Sequence, residues 1–189
     1  MASPSNKTVY VNFFDAIVDA KVKAIMAAVS EIINQQKPDA IYCLFSSPGG
    51  QVEAGITLYN FLRSLPIEII MHNTGSIDSI ANVVFLSANT RYASAHSSFL
   101  FHGVIWPFTG NTQVNRNQLA ETLSGLDASE TKIRGIITER TTLTSEEVQA
   151  LFTQGECKDP SFALSKGIVN EIKNPTIPKG VPILSFNLT

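Results

Sequence analysis

The chain has 189 residues, a net charge of −2, 44% hydrophobic residues and 16% charged residues. A chain of this length buries about 70% of its unfolded surface and needs no disulfide or metal staple, and its near-neutral charge without a basic stripe argues against a nucleic-acid partner. No apolar run reaches the roughly 20 residues that span a bilayer, and the opening Met1 to Val11 lacks the charged and apolar regions of a signal peptide; a cytoplasmic protein with no membrane partner is expected.

In chain order, Thr8 to Phe14 is rich in β-branched and aromatic residues and predicts a strand. Val18, Val22, Ile25, Val29 and Ile32 recur at helical spacing and predict an amphipathic helix. Ala40 to Phe45 is a short apolar run, expected as a buried strand, with Cys43 as a buried thiol inside it. Cys43 and Cys157 together give neither a disulfide framework nor metal-ligand spacing. A turn, Ser46 to Gly50, leads into a second helix marked by Val52, Ile56, Tyr59 and Leu62. Ile67 to Met71 predicts a third strand and Ala81 to Ala88 a third helix. This rhythm is that of parallel βαβ units with right-handed crossovers.

Arg91 to Ala93 and Ser98 to Phe101 predict two further short strands. Val114 to Arg140 reads as a long projecting helix, broken near Gly125, with Leu119, Leu123 and Leu126 on one face. Thr144 to Glu147 matches a capping box, Asp159-Pro160 a capped helix start, and Gly167 a helix terminator. Ile168 to Ile172 predicts a last strand, and the proline-containing tail from Pro175 is expected to be extended. The whole reads as one domain over residues 1–189, with the projecting helix at about 112–142 and the tail at about 174–189.

Ligand sites of parallel sheets lie at the carboxyl ends of the strands, and three candidate elements fall there. Ser47-Pro48-Gly49-Gly50 follows the second strand; its glycines leave backbone N–H groups bare, suited to an oxyanion, although a plain glycine turn has the same composition. Asn73 to Ala81 follows the third strand and places serines at a helix start, where the dipole favours an alkoxide. Ser76 and Ser79 are equally good helix caps by composition, and capping needs no chemistry. His102 closes the Phe99-Leu100-Phe101 run, where a neutral imidazole can take a serine proton and return it to a leaving amine. His72 within a strand and His96 within a turn are less well presented.

These elements, in this order, resemble the proteolytic subunit of the Clp proteases. The family's Ser-Pro-Gly-Gly turn is matched at Ser47 to Gly50, its small-residue nucleophile turn at Gly75 to Ala81, and its strand-closing histidine at His102. Phe162 to Val169 resembles the family's closing helix and strand, so the resemblance covers roughly residues 40–172. It implies an α/β fold built as a spiral of βαβ units, ClpP/crotonase-like, with a projecting handle helix by which rings of identical subunits interlock. It implies a serine peptidase acting on peptides or unfolded proteins, without metal or other cofactor. Ser79 becomes the nucleophile, His102 its base, and Gly49 and Ile80 the donors of the oxyanion-hole N–H groups.

Three departures from the family pattern stand out. Asp78 precedes the nucleophile, where a carboxylate facing the site would oppose alkoxide formation. Asn82 stands where a small residue is usual, and Gly155 aligns with the triad aspartate, leaving Glu156 as the expected third member and Asp159 as a helix cap. The short segment before the first strand has no counterpart to the family's pore-forming N-terminus, which speaks against docking to an AAA+ unfoldase. Two alternatives follow. A non-catalytic or weakly active ClpP-like subunit would co-purify with an active paralogue. A crotonase-type acyl-coenzyme A enzyme would be stabilised by coenzyme A.

Overall fold

The computed structural model describes residues 7–107 and 113–186; residues 1–6, 108–112 and 187–189 lie outside it. Strand β1 (Thr8–Phe14) leads to helix α1 (Asp19–Gln36), β2 (Ala40–Ser47), α2 (Val52–Ser64) and β3 (Glu68–Asp78). Short elements follow: α3 (Ala81–Phe85), β4 (Thr90–Ala93) and β5 (Ser98–Leu100). Then come α4 (Arg116–Arg140), α5 (Ser145–Gln154), β6 (Cys157–Lys158), α6 (Pro160–Ser165), β7 (Glu171–Ile172) and β8 (Ile183–Ser185). The strands form one eight-stranded sheet whose main path runs β6-β5-β3-β2-β1-β8, with β4 bridging β3 and β7. Every pairing is parallel except β5 with β6.

The predicted α1 stripe is the buried one: Val22, Ile25, Val29 and Ile32 pack into the core with Val11, Phe13, Phe45 and Leu58. β2 is buried along almost its whole length, as a central parallel strand covered on both faces must be. α5 and α6 start at the expected caps. Thr144 accepts from the Glu147 N–H at 3.2 Å, and the Asp159 carboxylate accepts from the Phe162 N–H at 2.7 Å. Asp159 is therefore occupied as a cap.

Several elements differ from the sequence expectation. β3 continues to Asp78 instead of ending at Met71. Polar side chains carry it through a bulge between Phe45 and Ser47 on the neighbouring strand. Asn73 Nδ2 donates to the Ser98 carbonyl at 2.8 Å while its Oδ1 accepts from the Gly75 N–H at 3.0 Å. β3 can thus pair β4 with its first half and β5 with its second. α3 is shorter than predicted, α4 runs unbroken through Gly125, and Ile168–Val169 is buried connection ahead of a two-residue β7. An interior glycine costs a helix only about 1 kcal/mol relative to alanine, and nothing crowds Gly125. In the extended tail, β8 adds to the sheet edge beside β1.

Candidate functional site

β3 and β5 bring the predicted elements together. Their parallel register sets Asp78 opposite Leu100, and the Ser79 N–H donates to the Leu100 carbonyl at 2.8 Å, one rung further. Ser79 thus leaves the end of one strand while His102 leaves the end of its neighbour. Both half-buried side chains line one cavity of about 260 Å³, whose walls include Pro48, Ile80, Val104 and Ile133.

Ser79 holds a left-handed backbone conformation, with φ 57°. A non-glycine residue there costs roughly 1–2 kcal/mol, and such outliers collect at functional turns. The buried Asn82 holds this turn. Its Nδ2 donates to the carbonyls of Ser79 at 3.1 Å and Leu100 at 2.9 Å, tying the serine turn to the strand that leads to His102. Asn82 was legible only as a departure from pattern; its part in tying two strand ends is visible only in three dimensions. The strain at Ser79 makes a prediction: Ser79→Gly should be more stable to urea than Ser79→Ala by about 1 kcal/mol. Equal midpoints for the two variants would show that the turn is unstrained.

Gly49 lies behind the serine with φ 88°. A Cβ at Gly49 would stand 2.7 Å from the Asp78 carbonyl oxygen, 2.8 Å from Ser79 Cβ and 3.4 Å from the Ile80 nitrogen. Only glycine permits that approach. Among the described residues nothing accepts from the Ile80 N–H. The Gly49 N–H donates to Ser47 Oγ at 3.2 Å, a long bond.

His102 Nδ1 lies 2.7 Å from the Gly103 carbonyl oxygen. Because a carbonyl only accepts, Nδ1 carries the proton and Nε2 the lone pair. Glu156 is exposed, one residue before β6, and its carboxylate pairs with Lys158 at 3.1 Å. The described hydrogen bonds do not join Glu156 to His102. Burial pushes the Asp78 carboxyl above its ordinary value, opposed by a hydrogen bond from Ser76 and by the proximity of His102. Asp78 is therefore more readily neutralised than a free carboxylate, which softens its conflict with an alkoxide at Ser79.

Beside this cavity opens a groove of about 870 Å³ between α2 and α4, lined by Gln51, Ile105, Trp106, Leu126 and Lys132 among others. Ile105 and Trp106 are 72% and 53% exposed. Among the described residues no His, Cys, Asp and Glu cluster could hold a metal ion, and no helix is long and apolar enough to cross a membrane.

The Clp protease family model matches residues 5–176. The chain is 27% identical over 160 residues to ATP-dependent Clp protease proteolytic subunit 2 of Pseudomonas aeruginosa, covering 82% of this chain and 76% of that protein. It is 25% identical over 158 residues to the protein of the same name in Treponema pallidum, covering 80% and 75% of the two chains. Among solved structures, a ClpP1 point mutant from Listeria monocytogenes superposes with a TM-score of 0.75 at 18% identity, covering 90% of this chain and 92% of that one. That likeness carries the fold.

Proposed function

Because this chain belongs to the Clp protease family, we propose that it is a serine peptidase with Ser79 as nucleophile and His102 as general base. A substrate carbonyl enters the cavity. His102 Nε2 takes the Ser79 hydroxyl proton as Oγ bonds to the carbonyl carbon, and the oxyanion forms at the bare Ile80 N–H. The Gly49 N–H joins it by exchanging the Ser47 hydroxyl for the oxyanion. The imidazolium then protonates the leaving amine, and water, activated by the same imidazole, releases the acyl group. What carries this reading is the pairing of β3 with β5, which sends Ser79 and His102 into one cavity. Glu156 can act as third member of the site only by exchanging Lys158 for His102 Nδ1.

Substrates are extended peptides or unfolded protein segments, since the groove lined by Ile105 and Trp106 continues from the cavity toward α4. Further copies of the chain are the proposed partners, assembled as rings. α4 leaves Leu119 and Leu123 46% and 53% exposed, one turn apart on the same face. The unpaired Cys43 and Cys157 suit the reducing cytoplasm. The reading calls for no cofactor, and the Clp protease family match favours it over the acyl-coenzyme A alternative.

A fluorophosphonate probe tests this reading. It is expected to label the assembled protein at Ser79 and to leave Ser79→Ala unlabelled. A second reading, a subunit without activity of its own, is favoured by the engagement of the Gly49 N–H by Ser47. It would be upheld by an absence of labelling in pure, assembled protein.

A further inference from the structure

Two hydrogen bonds meet on a single peptide group beside His102. The carbonyl of the Gly103–Val104 peptide faces His102 Nδ1 at 2.7 Å. The N–H of the same peptide, that of Val104, donates to Glu130 Oε1 at 3.0 Å. Glu130 sits on α4, 26 positions further along the chain. It is half-buried, and it lies so close to this peptide that a Cβ on Gly103 would stand 2.8 Å from its Oε1. Among the described residues the ion pairs do not include Glu130. One and two helical turns on, the buried Ile133 and Ile137 anchor the same stretch of α4 against the cavity. The carboxylate is therefore held in place and its charge falls on the Gly103–Val104 amide.

A carboxylate accepting from an amide N–H makes a strong, charge-assisted bond. It also polarises the amide, adding negative charge to the carbonyl oxygen at the other end. That oxygen fixes the proton on His102 Nδ1, which leaves Nε2 as the base, and it stabilises the imidazolium formed once Nε2 takes the serine proton. In serine hydrolases a direct carboxylate contact performs both tasks. Here Glu156 is engaged by Lys158.

We propose that Glu130 is a positioning residue that acts on His102 through the Gly103–Val104 peptide, a carboxylate–peptide–imidazole relay in place of a direct acid contact. The inference rests on the peptidase reading of Ser79 and His102 for its effect on rate, but not for its effect on the ring.

Glu130→Gln keeps an oxygen for the Val104 N–H and removes the charge; Glu130→Ala removes both; Glu156→Gln is the control. Two readouts apply to the intact protein: 15N resonances of histidine-labelled samples, with His102 identified by its loss in His102→Ala, and kcat and KM on a fluorogenic peptide. The relay predicts a His102 protonated at Nδ1 in the parent, a mixed tautomer in Glu130→Ala, and a fall in kcat of roughly 5- to 20-fold at little-changed KM in both Glu130 variants. Glu156→Gln should keep the parental His102 tautomer, because its carboxylate is engaged by Lys158. The relay is overturned if Nδ1 is unprotonated in the parent, if both Glu130 variants keep the parental tautomer and kcat, if only KM changes, or if Glu156→Gln alone disturbs the ring. If the tautomer depends on Glu130 while the fluorophosphonate leaves Ser79 unmodified, the relay stands and the peptidase reading falls.

Discussion

His102→Ala is expected to lower kcat for peptide hydrolysis by about 10³-fold or more while moving KM by less than roughly 3-fold. The reason is positional. His102 borders the cavity together with Ser79, and its ring is turned so that the nitrogen free to accept a proton is Nε2. The proposed substrate groove is built from other residues, chiefly along α2, α4 and the segment from Val104 to Pro107, so binding should be largely spared. Ser79→Ala should fall to the same floor. The double variant should fall no further, because a nucleophile and its base act as one unit and their losses do not add. Steady-state kinetics on a fluorogenic peptide check this. A His102→Ala protein within 10-fold of the parent, or losses that multiply in the double variant, would exclude the pair as the catalytic unit.

The candidate pair could be picked out in the sequence because Ser79 stands at a helix start after a strand and His102 closes the Phe99-Leu100-Phe101 run, and parallel sheets present groups from strand ends. The adjacency of the two strand ends was not legible. It depends on β3 running through Asn73, Thr74 and Gly75 to pair with β5, and polar residues with a glycine read locally as a turn. The satisfaction of that segment comes from Asn73 reaching the Ser98 carbonyl, 25 positions away. The backbone of Ser79 was hidden for a similar reason: a left-handed serine has no signature in composition. α1, α5 and α6 were readable because hydrophobic period and caps are local signals. β8 was not, since three residues in a proline-containing tail become a strand only when β1 offers its edge. Glu130 was invisible as well. From the sequence it is one more polar residue on a long helix, and its meaning comes from the loop that α4 meets.

The same limit applies to Arg91, which carries the second large expectation. It reads as a residue of a short strand, yet it is only 5% exposed. Its guanidinium donates to the carbonyls of Ile168 at 2.7 Å, Ala88 at 2.6 Å, Arg140 at 3.1 Å and Gly167 at 2.9 Å. Arg140 ends α4, Gly167 lies two residues beyond α6 and Ala88 three beyond α3, so one cation gathers the segments by which three helices end. Burial and the neighbouring charges of Arg140 and Arg63 push its pKa down to about 10, still leaving it charged at neutral pH. Arg91→Ala would leave the carbonyls of Ile168, Arg140 and Gly167 without this donor, Ala88 keeping a bond from Arg140 at 3.1 Å, and would remove the charge that the helix ends face. A loss of about 3–5 kcal/mol is expected, which for a chain of this size lowers the melting temperature by roughly 6–20 °C. Arg91→Lys should recover little, because a single ammonium has three donors and no fork to reach four carbonyls. Urea unfolding of the three proteins decides it. Arg91→Ala within 1 kcal/mol of the parent, or full recovery in Arg91→Lys, would mean that the helix ends are satisfied without the guanidinium. The consequence also reaches the site, because the carbonyl of Arg140 ends the helix that holds Glu130 against the His102 loop.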